Sequence, residues 1–294
     1  ELIEALQKDE RFQSLPTILL TAKSDDQSRS WAIQHGASAY LSKPFDELEL
    51  LSTVENLLNL KRQERKIADL NRYITVNVLQ RFLPSSLVQS IIEGRSTLDD
   101  GAKTRSVTVL FADLCAFTST TERLGPRKIA EILNQFLTDM TEVIFEHEGT
   151  IDKFLGDGIL VIFGAPSSMD PSEQVLRARN CSLAMQEHLQ NLNHQWTAQG
   201  YPPFRMRIGI HHGPAIIGSF GGPKRSDYTV IGHTVNLASR IQGLAEPDHV
   251  LVSQAVRDLL PDDGWVDGGQ HKIRGLNQEM ALFRLIPKKN SDAA

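Results

Sequence analysis

The stretch DKFLGDGILVIFG, Asp152–Gly164, holds an aspartate between two glycines inside a run of strand-forming apolar residues. Glycine tolerates positive φ angles and aspartate suits turns, so Gly156-Asp157-Gly158 predicts a tight turn between two antiparallel strands. Such a turn is most often a solvated hairpin tip. A second carboxylate near it would instead indicate a site of chemistry.

That second carboxylate is Asp113, which follows the apolar run VTVLFA in a segment that reads as a strand. If this strand lies beside the hairpin, Asp113 and Asp157 converge at one edge of a sheet, although they are 44 positions apart (157 minus 113). Mg²⁺ takes few carboxylates and shares the oxygens of its substrate, so two aspartates suit Mg²⁺ or Mn²⁺ together with a polyphosphate.

The bulk composition is that of an ordinary globular protein. The chain has 294 residues, 40% hydrophobic and 23% charged, which fits one large or two ordinary domains. A net charge of -5 argues against nucleic acid as the main partner. Two cysteines form no disulfide framework, and neither an apolar run near 18 residues nor a signal pattern occurs, so we expect a cytoplasmic protein without a membrane partner. The opening ELIEALQKDE, a helix already under way, suggests a cut through a longer protein.

Residues 1–58 alternate short apolar strands with helices, which predicts part of a parallel α/β sheet. Thr21, the Gly36-Ala37 pair and Lys43-Pro44-Phe45 resemble the C-terminal portion of a response-regulator receiver domain, a flavodoxin-like fold. The resemblance implies that Thr21 and Lys43 reach a phosphoryl group and that a cis peptide precedes Pro44. The phospho-acceptor aspartate would lie upstream, and an upstream histidine kinase would be a partner of the full-length protein.

Residues 59–103 predict a helical, coiled-coil-like signalling linker, and the pattern starts just before it. Apolar residues recur at spacings of three and four in two seams, Leu50, Val54 and Leu57 in the first and Ile67, Leu70 and Ile74 in the second. The two seams are out of phase by one residue across the charged run Lys61–Lys66. Either the linker dimerises along these seams, or it is an amphipathic helix packed on its own domain.

Residues 104–288 predict an α+β domain, and we expect residues 289–294 to be a disordered tail. A helix should start at Pro126, and another after Asp170, which has the pattern of a capping residue followed by proline. Strands are expected in FRMRIGIHHG, DYTVIG, HVLVS and ALFRL, with a helix over TVNLASRIQGL.

Four segments of this domain share one resemblance. FADLCAFT (Phe111–Thr118), KFLGDG (Lys153–Gly158), GIHHGPAIIG (Gly209–Gly218) and DYTVIGHTVNLASR (Asp227–Arg240) resemble, in this order, the catalytic domain of class III nucleotidyl cyclases. The resemblance implies an α+β fold with a ferredoxin-like βαββαβ core and extra strands and helices. Ala116 departs from the family, which usually has glycine there, and its methyl group could impede the approach of a triphosphate.

The resemblance also implies an adenylate cyclase mechanism. Asp113 and Asp157 would hold two ions of Mg²⁺ or Mn²⁺, and the ribose 3′-hydroxyl would attack the α-phosphate in line. Asn236 and Arg240 are four apart on a predicted helix and so share one face. By resemblance, Asn236 orients the ribose and Arg240 supports the charge on the α-phosphate.

Base choice follows from hydrogen-bonding groups at two positions that the resemblance marks. Lys153 can only donate, so it complements N1 of adenine and opposes the N1 hydrogen of guanine. Thr229 can accept a hydrogen bond from the 6-amino group of adenine. The sequence therefore predicts ATP, rather than GTP, as the substrate.

The remaining predicted substrate contacts are Phe117 and Thr118, in the loop after Asp113, and Arg274, where many relatives place a triphosphate-binding lysine. An exposed strand arginine is nearly as good a reading of Arg274. Because the family builds each site from two subunits, we expect a homodimer in which Asp113, Asp157 and Lys153 meet a partner's Asn236 and Arg240.

Three other functions compete with this prediction. A catalytically silent nucleotide-sensing or dimerisation module would keep the fold, but the complete set of Asp113, Asp157, Asn236 and Arg240 argues against it. A guanylate cyclase is disfavoured by Lys153. A diguanylate cyclase would need the acidic pair of a GGDEF-type motif, which the hairpin lacks.

Overall fold

The computed structural model describes residues 15–22, 30, 34, 36–75, 79, 83–94, 101–117, 120, 124–222, 224–261, 264–275 and 278–286. The chain divides into two compact units, residues 1–81 and 82–294. The predicted site residue Thr118 and the predicted tail at 289–294 lie outside the described residues.

The described part of the first unit contains a small parallel sheet and one long helix. Strands β1 (Ile18–Thr21) and β2 (Ala39–Ser42) pair in parallel, as the α/β pattern predicts. The peptide between Lys43 and Pro44 is cis. Helix α1 (Glu47–Ile74) begins where the Asp46 side chain accepts a hydrogen bond from the Leu48 backbone, and it runs unbroken across the predicted boundary between receiver fragment and linker.

Helix α1 has no buried residue. Its first apolar seam is half-buried, while the second seam, Ile67, Leu70 and Ile74, is exposed by 40% or more. The charged run between the seams is helical and carries an i,i+3 ion pair of 2.7 Å between Lys61 and Glu64. The described part of this unit therefore leaves the second seam uncovered.

The second unit has a mixed order of strands and helices. Its elements are α2 (Ser85–Ile92), β3 (Lys103–Cys115), α3 (Pro126–Glu146), β4 (Thr150–Leu155), β5 (Gly158–Phe163), α4 (Pro171–Ala198), β6 (Arg205–Gly222), β7 (Arg225–Ile231), α5 (His233–Leu244), β8 (Val250–Ser253), α6 (Gln254–Leu259), β9 (Trp265–His271) and β10 (Met280–Leu285). No described helix of the chain is both long enough and apolar enough to cross a membrane.

The sheet contains the ferredoxin-like core that the resemblance implies. Its strand order is β4-β5-β3-β6-β8-β10-β9, with β7 paired to β6. The first four strands and the helices α3 and α4 give the βαββαβ order, with β3 antiparallel to both of its neighbours β5 and β6. β6 pairs in parallel with β8, which attaches the additional strands.

The two faces of this sheet have different roles. One face packs against α3 and α4 in the main core, to which β3 contributes Leu110, Ala112 and Leu114. Successive strand residues point to opposite faces, so Val109, Phe111 and Asp113 share the other face. There the buried Val109 and Phe111 pack near Ala238 of α5. The predicted catalytic aspartate therefore lies on the face of the sheet that α5 covers.

Candidate active site

The sheet register brings the two predicted aspartates together. Ala112 of β3 lies opposite Ile159 of β5, so Asp113 comes next to the turn that joins β4 and β5. That turn contains Asp157, and Gly156 before it has a φ of 69°, the left-handed conformation that favours glycine. A side chain added at Gly158 would lie 3.5 Å from the Asp113 carboxylate. The turn chemistry thus sets Asp157 beside the end of β3.

Asp113 and Asp157 have different neighbours. Arg207, directly across from Asp113 on β6, donates to one oxygen of that carboxylate from Nη2 at 2.9 Å and from Nε at 3.3 Å. Gln242 Nε2 of α5 lies 3.4 Å from the same oxygen. Burial raises the pKa of Asp157, and the nearby charge of Asp113 raises it further while Arg207 lowers it.

The two carboxylates are suited to binding divalent metal ions whose remaining ligands come from a nucleotide. Two like-charged carboxylates at close range attract a cation, which removes their repulsion. In the described part of the chain no three His, Cys, Asp or Glu side chains form a metal cluster. Mg²⁺ does not need one, since it usually takes one or two carboxylates and completes its shell with water and phosphate oxygens.

Arg207 is a site residue that the sequence prediction missed. It stands two residues before Gly209 in RMRIGIHHG, so strand alternation places Arg207 and Gly209 on one face of β6. That alternation was the available signal. The partner Asp113 was not visible, because the pairing depends on the register between β3 and β6.

The two predicted base-reading residues meet at one buried carboxylate. Thr229 Oγ1 of β7 donates to Asp152 Oδ2 at 2.9 Å, and Lys153 Nζ lies 3.3 Å from the same oxygen. Lys153 and Thr229 of one chain therefore lie next to each other, on either side of Asp152. The sequence prediction grouped Lys153 with the aspartates and did not include Asp152.

Helix α5 carries Asn236 and Arg240 on a side that faces away from its own sheet. Gln242, Ala238 and Ile241 are buried, whereas Asn236 is exposed. At about 100° per residue, Arg240 lies about 200° around the helix from Gln242, which contacts Asp113 of the same chain. The same helix cannot present Gln242 and Arg240 to one carboxylate, so Arg240 does not reach the Asp113 of its own chain.

Arg274 lies close to Arg240, in the turn between β9 and β10 rather than in a strand. The Arg240 guanidinium donates through Nη1 to the backbone oxygen of Arg274. Gly275, with a φ of 83°, passes so close that an added Cβ would lie 2.8 Å from Arg240 Nη1. The loop thus brings the backbone of Arg274 next to the Arg240 guanidinium.

The loop after β3 turns the Phe117 side chain away from the two aspartates. Phe117 packs against the core on the α3 and α4 face, with its ring centroid 5.9 Å from that of Phe204. Its side chain is therefore on the opposite face from Asp113, and only its backbone could contribute to a triphosphate site there. Ala116 has a φ of 57°, which explains why glycine suits this position better than alanine.

Comparisons with known proteins identify one family for most of the second unit. The family model for the adenylate and guanylate cyclase catalytic domain matches residues 101–286. Adenylate cyclase 1 of Rhizobium meliloti is 36% identical over 177 residues, 60% of this chain and 26% of that protein. The adenylate cyclase of Anabaena cylindrica is 32% identical over 266 residues, 86% of this chain and 50% of that protein. The chain thus spans half or less of the length of these two relatives.

Two solved structures share the fold at comparable identity. The adenylyl cyclase CyaB from P. aeruginosa has a TM-score of 0.63 and 33% identity, covering 65% of this chain and 98% of its own. The guanylyl cyclase Cya2 has a TM-score of 0.60 and 35% identity, with the same coverages. Because the two enzymes are named for different nucleotides, overall similarity does not decide which base this chain binds.

Proposed function

The chain belongs to the adenylate and guanylate cyclase catalytic domain family, and from that premise we propose that it is an adenylate cyclase, converting ATP to 3′,5′-cyclic AMP and pyrophosphate. The observation that carries the proposal is the pair Asp113 and Asp157, held together near the end of the interior strand β3 with Arg207 beside them. This is an arrangement of charges suited to a metal-bound triphosphate.

Four residues of this chain would have separate roles in the reaction. Asp113 and Asp157 would hold the divalent ions, which when bound supply charge neutralisation for the triphosphate and a lower pKa for the ribose 3′-hydroxyl. Asn236 would hold the ribose so that its 3′-oxygen attacks the α-phosphorus in line. Arg240 would stabilise the negative charge on the α-phosphate as pyrophosphate leaves, because a guanidinium presents a fixed fork of donors.

ATP is favoured over GTP by the groups at the base position. Lys153 is a donor without an acceptor, so it matches N1 of adenine and repels the N1 hydrogen of guanine. Thr229 lies at the same carboxylate as Lys153, so both residues of one subunit would read one base. Arg274 and the loop after β3 would contact the phosphates.

We further propose that each active site is shared between two subunits of a homodimer. The proposal rests on α5, whose buried side contacts Asp113 of its own chain through Gln242 while Arg240 faces away. A second subunit can then bring its Asn236 and Arg240 to the aspartates of the first. A symmetric dimer would contain two equivalent sites.

The first test supplies ATP or GTP with Mg²⁺ or Mn²⁺ to the purified chain and measures cyclic AMP and cyclic GMP. We expect cyclic AMP from ATP, no comparable cyclic GMP, and no product from Asp157→Ala. No product from either nucleotide in a protein shown to be dimeric would favour the silent sensing module. Cyclic GMP as the main product would favour the guanylate cyclase.

Mixing two inactive variants tests the shared site. A dimer of one Asp157→Ala chain and one Arg240→Ala chain has one site with both defects and one intact site. Random exchange makes half of the dimers mixed, so the mixture should recover about one quarter of the wild-type rate. No recovery after confirmed subunit exchange would contradict a shared site.

For the full-length protein we propose regulation by the receiver fragment through α1. The helix is continuous across the Lys61–Lys66 run, so a change of phase there would be transmitted along it. Deleting Gln63 rotates everything after it by about 100°, and we expect the cyclase rate to change sharply. Inserting seven residues at this point shifts the phase by about 20° and serves as the control. An unchanged rate after the single deletion would exclude this role.

A further inference from the structure

Asp152 is a buried carboxylate that no predicted role uses. Its side chain is 1% exposed, although it belongs to the half-exposed strand β4. Thr229 Oγ1 donates to Oδ2 at 2.9 Å, and the Val230 backbone N–H donates to Oδ1 at 3.3 Å. Lys153 Nζ lies 3.3 Å from Oδ2. Three donors from two strands therefore satisfy one carboxylate.

The chemistry of a carboxylate fixes the direction of these hydrogen bonds. An ionised aspartate is an acceptor only, so the Thr229 hydroxyl must point its single hydrogen at Asp152. What the hydroxyl can offer to a ligand is then its lone pairs. Lys153 has three N–H groups, so one can point at Asp152 while the others remain for a ligand.

The surroundings of Asp152 restrict the Thr229 hydroxyl. Burial raises the pKa of Asp152, while the hydrogen bond from Thr229, the charge of Lys153 and the Val230 amide oppose that rise. Thr229 is itself only 7% exposed, and its β-branched side chain has few χ1 options on a strand. With its hydrogen held by a buried anion, the hydroxyl cannot easily reverse its role.

We propose that Asp152 is a positioning residue that sets the preference for adenine, by keeping the Thr229 hydroxyl an acceptor and anchoring the Lys153 ammonium as a donor. This inference rests on the proposed function, because it assigns Lys153 and Thr229 to the base. Adenine presents a donor at its 6-amino group and an acceptor at N1, which complement the two residues. Guanine presents an acceptor at O6 and a donor at N1, which oppose both.

Three variants test the proposal, with the ratio of kcat/KM for ATP to that for GTP as the readout. Asp152→Ala frees the hydroxyl to donate to O6 of guanine, and the ratio should fall about tenfold. Thr229→Val removes the hydroxyl at nearly constant shape, and a similar fall is expected. If Asp152 acts through Thr229, the double variant loses less than the product of the two single effects.

Asp152→Asn keeps the shape of the buried side chain and guards against a folding defect in Asp152→Ala. An amide has one acceptor atom where the carboxylate has two. The Val230 N–H cannot move, whereas the Thr229 hydroxyl can rotate, so we expect the amide oxygen to face Val230 and the amide N–H to face Thr229. The hydroxyl would then accept from residue 152 and donate to the base, so the ratio falls at least as far as in Asp152→Ala.

Asp170→Ala is the matched control. Asp170 also accepts from a backbone amide, that of Ser172 at 2.9 Å, but it caps α4. Its loss should lower stability by a helix cap and leave the nucleotide ratio unchanged. A fall in the ratio equal to that of Asp152→Ala would show that the effect is general and would overturn the proposal.

Binding of 3′-deoxy-ATP and 3′-deoxy-GTP, which cannot cyclise, separates the two proposals. If the wild-type dimer makes no cyclic nucleotide, the proposed function fails, and the ratio of the two dissociation constants still tests Asp152. A lower preference for the adenine analogue in both Asp152 variants supports the inference. An unchanged preference in either folded variant, or exactly multiplicative effects in the double variant, overturns it.

Discussion

The two sides of helix α5 have different surroundings although they belong to twelve consecutive residues. The inner side is buried against the sheet, where Ala238 and Ile241 are fully buried and Gln242 contacts Asp113. On the outer side, Asn236 is exposed and Arg240 is half-buried against the turn before β10. The inner side is packed against the sheet of its own chain, whereas the outer side presents the polar side chains of Asn236 and Arg240 near the turn before β10.

The column of β6 beneath α5 shows how closely the inner side is fitted. Alternate residues of a strand share one face, so four residues of β6 lie on the face towards α5: Arg207, Gly209, His211 and Gly213. A Cβ on Gly209 would lie 2.2 Å from the backbone nitrogen of Gln242, and one on Gly213 would lie 2.9 Å from Thr234 Oγ1. Substitutions that add atoms on the inner side should therefore lower stability first, whereas loss of the Asn236 or Arg240 side chain on the outer side should lower activity with little change in stability.

Arg240→Ala gives the largest expected effect and tests the outer side. Loss of a group that stabilises transition-state charge should lower kcat by about 100- to 1000-fold, with the melting temperature nearly unchanged. Steady-state cyclic AMP production and thermal unfolding measure the two quantities. Arg127→Ala, which removes an exposed helix arginine paired with Glu131, is the control and should change neither.

Should Arg240→Ala unfold the domain rather than silence it, the outer side would be structural and the comparison would fail. Arg240→Lys separates the contribution of the charge from that of the guanidinium geometry. It keeps the charge but loses the fork of donors, so we expect an intermediate rate.

Gly209→Ala should disrupt the packing of α5 against β6. The added methyl group meets the helix backbone at 2.2 Å from Gln242 N, so α5 must shift, at a cost of about 3 kcal/mol in the free energy of unfolding. Denaturant unfolding measures the loss. Gly222→Ala on the same strand, where an added Cβ meets nothing within 4 Å, is the matched control. Equal stability of the two variants would mean that the contact between β6 and α5 is not tight.

His211 makes the inner side sensitive to acid. Burial lowers its pKa to about 4, and its Nδ1 lies 2.7 Å from Ser253 Oγ. In the unfolded chain the imidazole takes a proton near pH 6.5, well before the folded protein can. Stability is therefore complete above about pH 6.5 and is lost as pH falls towards 4, by about 2 kcal/mol at pH 5.

His211→Asn should flatten this part of the stability profile, because a neutral amide does not titrate. Burial also lowers the pKa of His212, so some acid sensitivity should remain. Denaturant unfolding at a series of pH values measures the slope in both proteins. Parallel profiles would show that the acid sensitivity has another origin.

Local patterns in the sequence were sufficient to predict much of the local geometry of the candidate site. The Gly156-Asp157-Gly158 turn follows from the conformational demands of a hairpin, and Asn236 and Arg240 share a side because they are four apart on a helix. The βαββαβ order could be predicted as well, from the resemblance that the motifs carry. Each of these features depends on neighbours within a few residues or on the order of elements.

What sequence reasoning missed depends on contacts between distant segments. Arg207 reaches Asp113 through the β3–β6 register, Asp152 meets Thr229 77 positions away, and Gln242 contacts Asp113 only because α5 packs on β6. The ring of Phe117 packs into the core, which the motif around it does not show. Such pairings are fixed by tertiary packing, which no local periodicity encodes.

Gly243→Ala gives the smallest expected effect and examines the exposed surface of α5 directly. An added Cβ meets nothing within 4 Å, and glycine inside a helix costs about 0.5 to 1 kcal/mol relative to alanine. The variant should therefore be more stable by that amount, as measured by denaturant unfolding, with an unchanged cyclase rate. Gly209→Ala should lower stability because its methyl group meets α5, whereas Gly243→Ala should raise stability because its methyl group meets nothing. A more stable but less active protein would contradict this expectation and would indicate that Gly243 also contributes to activity, which would extend the proposed shared surface beyond Asn236 and Arg240.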